Sequence, residues 1–111
     1  MKTISQYISE NLNRIKSIKD LEKFISRFPD NATSWRYAND EIRDICKTLR
    51  EYLKEYDNID VEPLDYKSFK TPAEWNINSK DFIRVNIKKL SKNTLERFLK
   101  DLDETFCHNE S

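Results

Sequence analysis

The 111 residues carry twenty basic and twenty acidic side chains and no glycine, where average usage would supply about eight. Gly-rich phosphate loops, dinucleotide fingerprints and nucleophile elbows need backbone that a Cβ blocks, so the enzyme classes built on them are excluded. A chain of this length makes a single domain over residues 1–111, and its longest apolar run is two residues, too short for a membrane span.

In chain order, Ile4, Ile8, Leu12 and Ile15 recur at helical spacing behind Thr3, which predicts a first short helix. Ser17 is a good N-cap, with Asp20 three residues on to favour the helix dipole. Leu21, Phe24, Ile25 and Phe28 make the next stripe, which Pro29 stops. The two pieces read as a bent helical pair. After the polar turn at 30–34, Trp35, Ala38, Ile42, Ile45, Leu49, Tyr52 and Tyr56 repeat in steps of three and four. This predicts a long amphipathic helix, the centre of a bundle, with Lys47 and Glu51 at the i,i+4 spacing of an ion pair. Asn58 stands where a glycine C-cap is usual, because asparagine tolerates the left-handed region.

Residues 57–70 read as a connector. Thr71-Pro72-Ala73-Glu74 is a clean helix start, predicting a short helix through Trp75. Residues 79–90 fit two readings. As a strand, Ile83, Val85 and Ile87 face inward. As a helix, Phe82, Ile83, Ile87 and Leu90 form a stripe. Asn93-Thr94-Leu95-Glu96 resembles a capping box opening a last helix with Leu95, Phe98, Leu99, Leu102 and Phe106. Residues 107–111 are expected to fray. The fold class is mainly α, a compact helical bundle around one long central helix. The alternative is α+β, with a small two-stranded piece from residues 59–66 and 82–88.

Candidate chemistry is sparse. The one histidine, His108, lies near the C-terminal end, and with Cys46 and Cys107 it cannot complete a four-ligand zinc site. Both cysteines are expected as reduced thiols in a cytoplasmic protein, since the N-terminus lacks the apolar stretch of a signal peptide. A nuclease-like pattern from Pro29-Asp30 to Asp65-Tyr66-Lys67 is short enough to arise by chance. No catalytic set, cofactor site or metal site is expected, and the chain reads as a non-enzyme.

Charge is segregated, however. Residues 31–66 hold five basic against nine acidic residues, a net of −4, while residues 79–100 hold seven basic against two acidic, a net of +5. Such asymmetry steers partners. The acids Asp40, Glu41, Asp44, Glu51, Glu55, Asp57, Asp60, Glu62 and Asp65, with Tyr37, Tyr66 and Phe69 as aromatic anchors, suit the gripping of a basic protein surface. The expected function is a small binding protein that masks or inhibits a protein partner, of the immunity, antitoxin or phage-inhibitor type. That partner would be a basic toxin or nuclease. The alternative is a nucleic-acid-binding regulator, with Lys80, Arg84, Lys88, Lys89, Lys92, Arg97 and Lys100 meeting phosphates from two helices joined at residues 91–93. No membrane partner is expected. The chain would act as a monomer, or as a homodimer through the Trp35 to Tyr56 seam.

Overall fold

The structure, a computed structural model, describes residues 14–35 and 40–106. Helix α1 spans Ile18–Ile25, α2 spans Asp40–Asp57, α3 spans Pro72–Ile87 and α4 spans Lys92–Phe106. A 3-10 turn at Tyr66–Ser68 interrupts the connector. The predicted helix upstream of Ile15, the tail at 107–111, Tyr37, Ala38, Cys107 and His108 lie outside the described residues.

The long helix is the centre of the bundle, and both α3 and α4 pack along it. Its apolar stripe of Ile42, Ile45, Cys46, Leu49 and Leu53 is buried. It meets Phe82, Ile83 and Ile87 from α3 and Phe98, Leu99 and Leu102 from α4. Leu21 and Ile25 from α1, with Ile15, Phe28 and Leu90, close the same cluster. Each fully buried Leu or Ile contributes about 1.5–3 kcal/mol of hydrophobic stabilisation, so this one cluster dominates stability. The predicted seam is shorter at both ends than its periodicity implied, because Trp35 is 51% exposed and Tyr56 is 52% exposed.

The termini of the elements are closed by side chains. Ser17 Oγ accepts the Asp20 N–H at 3.2 Å, and the Asp20 carboxylate accepts the Lys16 N–H at 3.0 Å. Thr71 Oγ1 accepts the Glu74 N–H at 3.1 Å, while the Glu74 carboxylate accepts the Lys70 N–H at 2.8 Å. Asn58 has φ 55°, and beyond it the Ile59 N–H returns to the Leu53 carbonyl at 2.9 Å. Helix α1 stops at Ile25, three residues before the predicted end. The chain then tightens through Arg27 N–H to Phe24 carbonyl and Phe28 N–H to Ile25 carbonyl bonds, which keeps Phe28 in the core as the chain turns into Pro29.

Three expectations about α3 and α4 are corrected. The short helix after Pro72 and residues 79–87 of the ambiguous segment form one helix of 16 residues, and residues 88–90 turn out of it. The strand alternative at 59–66 and 82–88 is not formed, and no strand occurs among the described residues. A strand would place Ile83, Val85 and Ile87 on one face. In the helix Ile83 and Ile87 are buried a turn apart, and Val85 is 59% exposed on the other side. The capping box expected at Asn93 is also displaced, since α4 begins at Lys92 and Ser91 precedes it as the cap. Ser91 Oγ accepts the Thr94 N–H at 3.3 Å. The Asp57 carboxylate, from the end of α2, accepts the Ser91 N–H at 2.7 Å and the Thr94 hydroxyl at 2.7 Å.

Buried polar residues of α3 hold loops against it. Asn76 Nδ2 donates to the Pro29 carbonyl at 2.9 Å, and the Ser79 and Tyr66 hydroxyls bond at 2.8 Å. Lys80, its side chain 5% exposed, reaches Asp30 at 2.9 Å. This ion pair is lopsided, because Asp30 is 67% exposed. Asp30→Ala should therefore destabilise by about 1.5 kcal/mol, since it leaves an ammonium group at the edge of the core without its counter-ion. Lys80→Met should cost less than about 0.5 kcal/mol, because the apolar stem is replaced and Asp30 stays in water. Urea unfolding of the two variants beside the parent checks the asymmetry, and equal losses would contradict it.

Candidate functional site

At about 100° of rotation per residue, α2 sorts its solvent-facing charges by sign. Asp40, Asp44, Glu51 and Glu55 fall on one stripe, and Arg43, Lys47, Arg50 and Lys54 fall on the stripe beside it. All four acids are exposed, and none joins an ion pair among the described residues. They line about 22 Å of helix at 1.5 Å per residue. The Lys47–Glu51 pair expected from spacing does not form, so the two stripes stay separate. Like charges a turn apart, as at Asp40 and Asp44 or Glu51 and Glu55, destabilise an isolated helix slightly. The fold tolerates this because the buried side of α2 anchors it.

Of the remaining predicted acids, Glu41, Asp57 and Asp60 are engaged within the protein through their side chains. Glu41 lies 4.0 Å from Arg27, and Asp60 pairs with Lys54 at 3.2 Å. Asp57 caps α4, and the Ser91 N–H, followed by the Thr94 hydroxyl, holds its carboxyl below the usual carboxylate range. The Asp65 carbonyl accepts the Ser68 N–H at 3.0 Å and its hydroxyl at 2.7 Å, closing the 3-10 turn, while the Asp65 side chain is exposed. Glu62 is exposed on the connector. The structure thus brings together four of the nine acids as an open stripe and assigns others to structural contacts.

The aromatic residues divide in the same way. Tyr66 and Phe69 are half-buried rather than presented to solvent. Tyr66 lies 4.4 Å from the Trp75 ring and 5.5 Å from Phe69, and Trp75 in turn meets Trp35 edge-on at 6.1 Å. This cluster fastens the connector to α3. Tyr52 packs against Phe98 and donates to Asp101 at 2.8 Å, fastening α2 to α4. Burial and the Asp101 carboxylate push the Tyr52 phenol above its ordinary value, so it stays a donor. Tyr56, the residue after Glu55, is the exposed ring of α2, with the Arg97 guanidinium 5.4 Å from its centroid.

The basic segment is thinner on the surface than in the sequence. Lys80 is buried against Asp30 and does not face solvent as a phosphate contact would, because α3 turns that residue inward. Arg84 bonds Glu22 at 2.8 Å and lies 3.6 Å from Asp81. Lys88, Lys89, Lys92, Arg97 and Lys100 are exposed around the α3–α4 turn and along α4. The two helices do follow one another through a short turn at 88–91, as the alternative reading requires.

Among the described residues no three of His, Cys, Asp and Glu gather to hold a metal ion, and no helix is long and apolar enough to cross a membrane. Cys46 is a buried free thiol that donates to the Ser79 carbonyl at 3.5 Å. Burial pushes its thiol up to about 11, the opposite of an activated nucleophile. Sequence reasoning missed the basic stripe of Arg43, Lys47 and Arg50. It flanks an open cavity of about 210 Å³ under the connector, floored by Cys46, Pro63, Leu64, Tyr66 and Phe82. A helical projection of charge sign, rather than a segment sum, would have found it. Comparison with known proteins finds no matching family model, no similar curated protein and no similar solved structure.

Proposed function

We propose that this chain is a small non-enzymatic binding protein that masks or inhibits a basic protein surface, of the kind presented by a toxin or nuclease to its substrate. The observation that carries this reading is the stripe of Asp40, Asp44, Glu51 and Glu55, which is exposed along α2 and has no ion-pair partner among the described residues. Preorganised charge of one sign speeds encounter with an opposite surface and rejects like-charged competitors. The exposed Tyr56 ring supplies an anchor beside it. Glu62 extends the acidic surface onto the connector. Asp57, Asp60 and Tyr66 contribute through the fold, since each is held by internal contacts.

The test is recovery of a stoichiometric protein partner by the tagged chain from its native host, after nuclease treatment and at two salt concentrations. The triple variant Asp44→Lys/Glu51→Lys/Glu55→Lys should bind that partner at least about tenfold more weakly, with the loss concentrated in the association rate. Unchanged affinity in that variant would overturn the reading. The regulator alternative is favoured by one observation, the exposed lysines Lys88, Lys89 and Lys92 at the α3–α4 turn. It requires nucleic acid to be recovered instead and to be released as salt rises.

A further inference from the structure

The cavity beneath the connector differs in chemistry from the acidic stripe. Arg43, Lys47 and Arg50 stand at i, i+4 and i+7 along its rim. No carboxylate pairs with any of the three among the described residues. Two of these cations are already positioned. The Arg43 guanidinium lies 5.5 Å from the Tyr66 ring centroid, and Arg50 Nε donates to the Val61 carbonyl at 2.9 Å. The contact each makes restrains its rotamers, so less freedom is lost when a ligand is bound. Beneath the cations the floor is apolar, with Pro63, Leu64 and Phe82 beside Tyr66 and the inert Cys46 thiol. The walls are held independently. Tyr66 is fixed by Ser79 at 2.8 Å, and Cys46 by the Ser79 carbonyl.

The geometry points to this cavity as a binding site for a small organic carboxylate, with an apolar ring or branched body on Leu64 and Phe82 and the carboxylate between Arg43 and Lys47. A volume of about 210 Å³ admits a body of one ring and excludes a helix or a folded peptide. A few charged groups above an apolar floor are the usual composition of a small-molecule site. The guanidinium fork matches the two oxygens of a carboxylate. This site lies on the basic stripe, and nothing in it depends on the partner-masking reading.

Phenylacetate is the direct probe, titrated into the isotope-labelled full chain while backbone amide shifts are followed. Phenylacetamide retains the ring without the charge, and acetate retains the charge without the ring. Saturable shifts centred on Leu64, Tyr66 and Phe82 are expected with phenylacetate. Apparent affinity should fall by about tenfold or more for phenylacetamide and in Arg43→Gln/Lys47→Gln, and acetate should not saturate. Both substituted positions are exposed, so shifts elsewhere in the variant's spectrum should match the parent. Absence of a saturable response to phenylacetate, or equal binding of phenylacetamide, or undiminished binding in the double variant, would overturn the assignment.

Discussion

Phe98→Ala should lower the unfolding free energy by about 4 kcal/mol, the largest single effect expected in this protein. Phe98 is fully buried where α4 meets α2, with its ring 5.5 Å from Tyr52. Removing it deletes the transfer free energy of a benzyl group and leaves a void that α2 and α4 cannot close. Tyr52 is tied to Asp101, which limits its collapse into the space. A domain of this size is stable by only about 5–15 kcal/mol, so the variant would sit near the edge of folding. The midpoint of thermal unfolding should drop by about 20 °C. Phe98→Leu keeps most of the volume and should lose less than half as much. Calorimetry on the three proteins measures this directly. A small loss for Phe98→Ala would mean that α4 is not packed on α2 as described.

The second large effect concerns Asp103 and pH. The Asp103 carboxylate, 9% exposed, accepts the Arg14 Nε–H, shared between its two oxygens at 2.9 and 3.0 Å, a second bond from Arg14 Nη2, and the Ile15 N–H at 2.8 Å. It thereby clamps the segment before α1 onto α4 across 88 residues of sequence. The Arg14 guanidinium, aided by the Ile15 N–H, holds this carboxyl below the usual carboxylate range. A carboxyl with a folded value below its unfolded value of about 3.9 stabilises the protein fully above that unfolded value. The contribution is lost as pH falls through the folded value. Asp57, also lowered by its bonds to Ser91 and Thr94, acts in the same direction.

Stability should therefore be level in this respect from about pH 5 upward and decline below about pH 4. Asp103→Asn should cost about 2.5 kcal/mol at neutral pH, less than a fully buried pair would, because Arg14 is 47% exposed and regains water. As pH falls through the folded value of Asp103 the gap between variant and parent should narrow, since the parent is then protonated as well. Denaturant midpoints at neutral and acidic pH distinguish this from a purely steric loss, for which the gap would not change with pH.

Much of the fold was legible because it is local. The seam from Ile42 to Leu53, the Ser17 cap, the Thr71-Pro72 start and the left-handed Asn58 follow from side-chain spacing and backbone sterics within one or two turns. The length of α3 was not legible. Asn76, Ser79 and Asn86 are polar and only middling helix formers, so they weaken the local helix signal, yet Asn76 and Ser79 bond to Pro29 and Tyr66, which only the packed chain brings near, and Asn86 bonds to Phe82 one turn back. The start of α4 was misplaced for a related reason. Its cap is completed by Asp57, 34 residues upstream.

The candidate site divides along the same line. The sequence by itself determined that phosphate loops and nucleophile elbows are absent, that the domain is helical, and that acids concentrate in its middle third. Only the tertiary structure decided which acids remain open. Asp57, Asp60 and Glu41 were drawn into caps and ion pairs, Lys80 was drawn into the interior, and Asp40, Asp44, Glu51 and Glu55 were left facing water. A side chain's charge is written in the sequence. Whether that charge is neutralised depends on neighbours within a few ångströms, and in a packed bundle those neighbours come from distant parts of the chain.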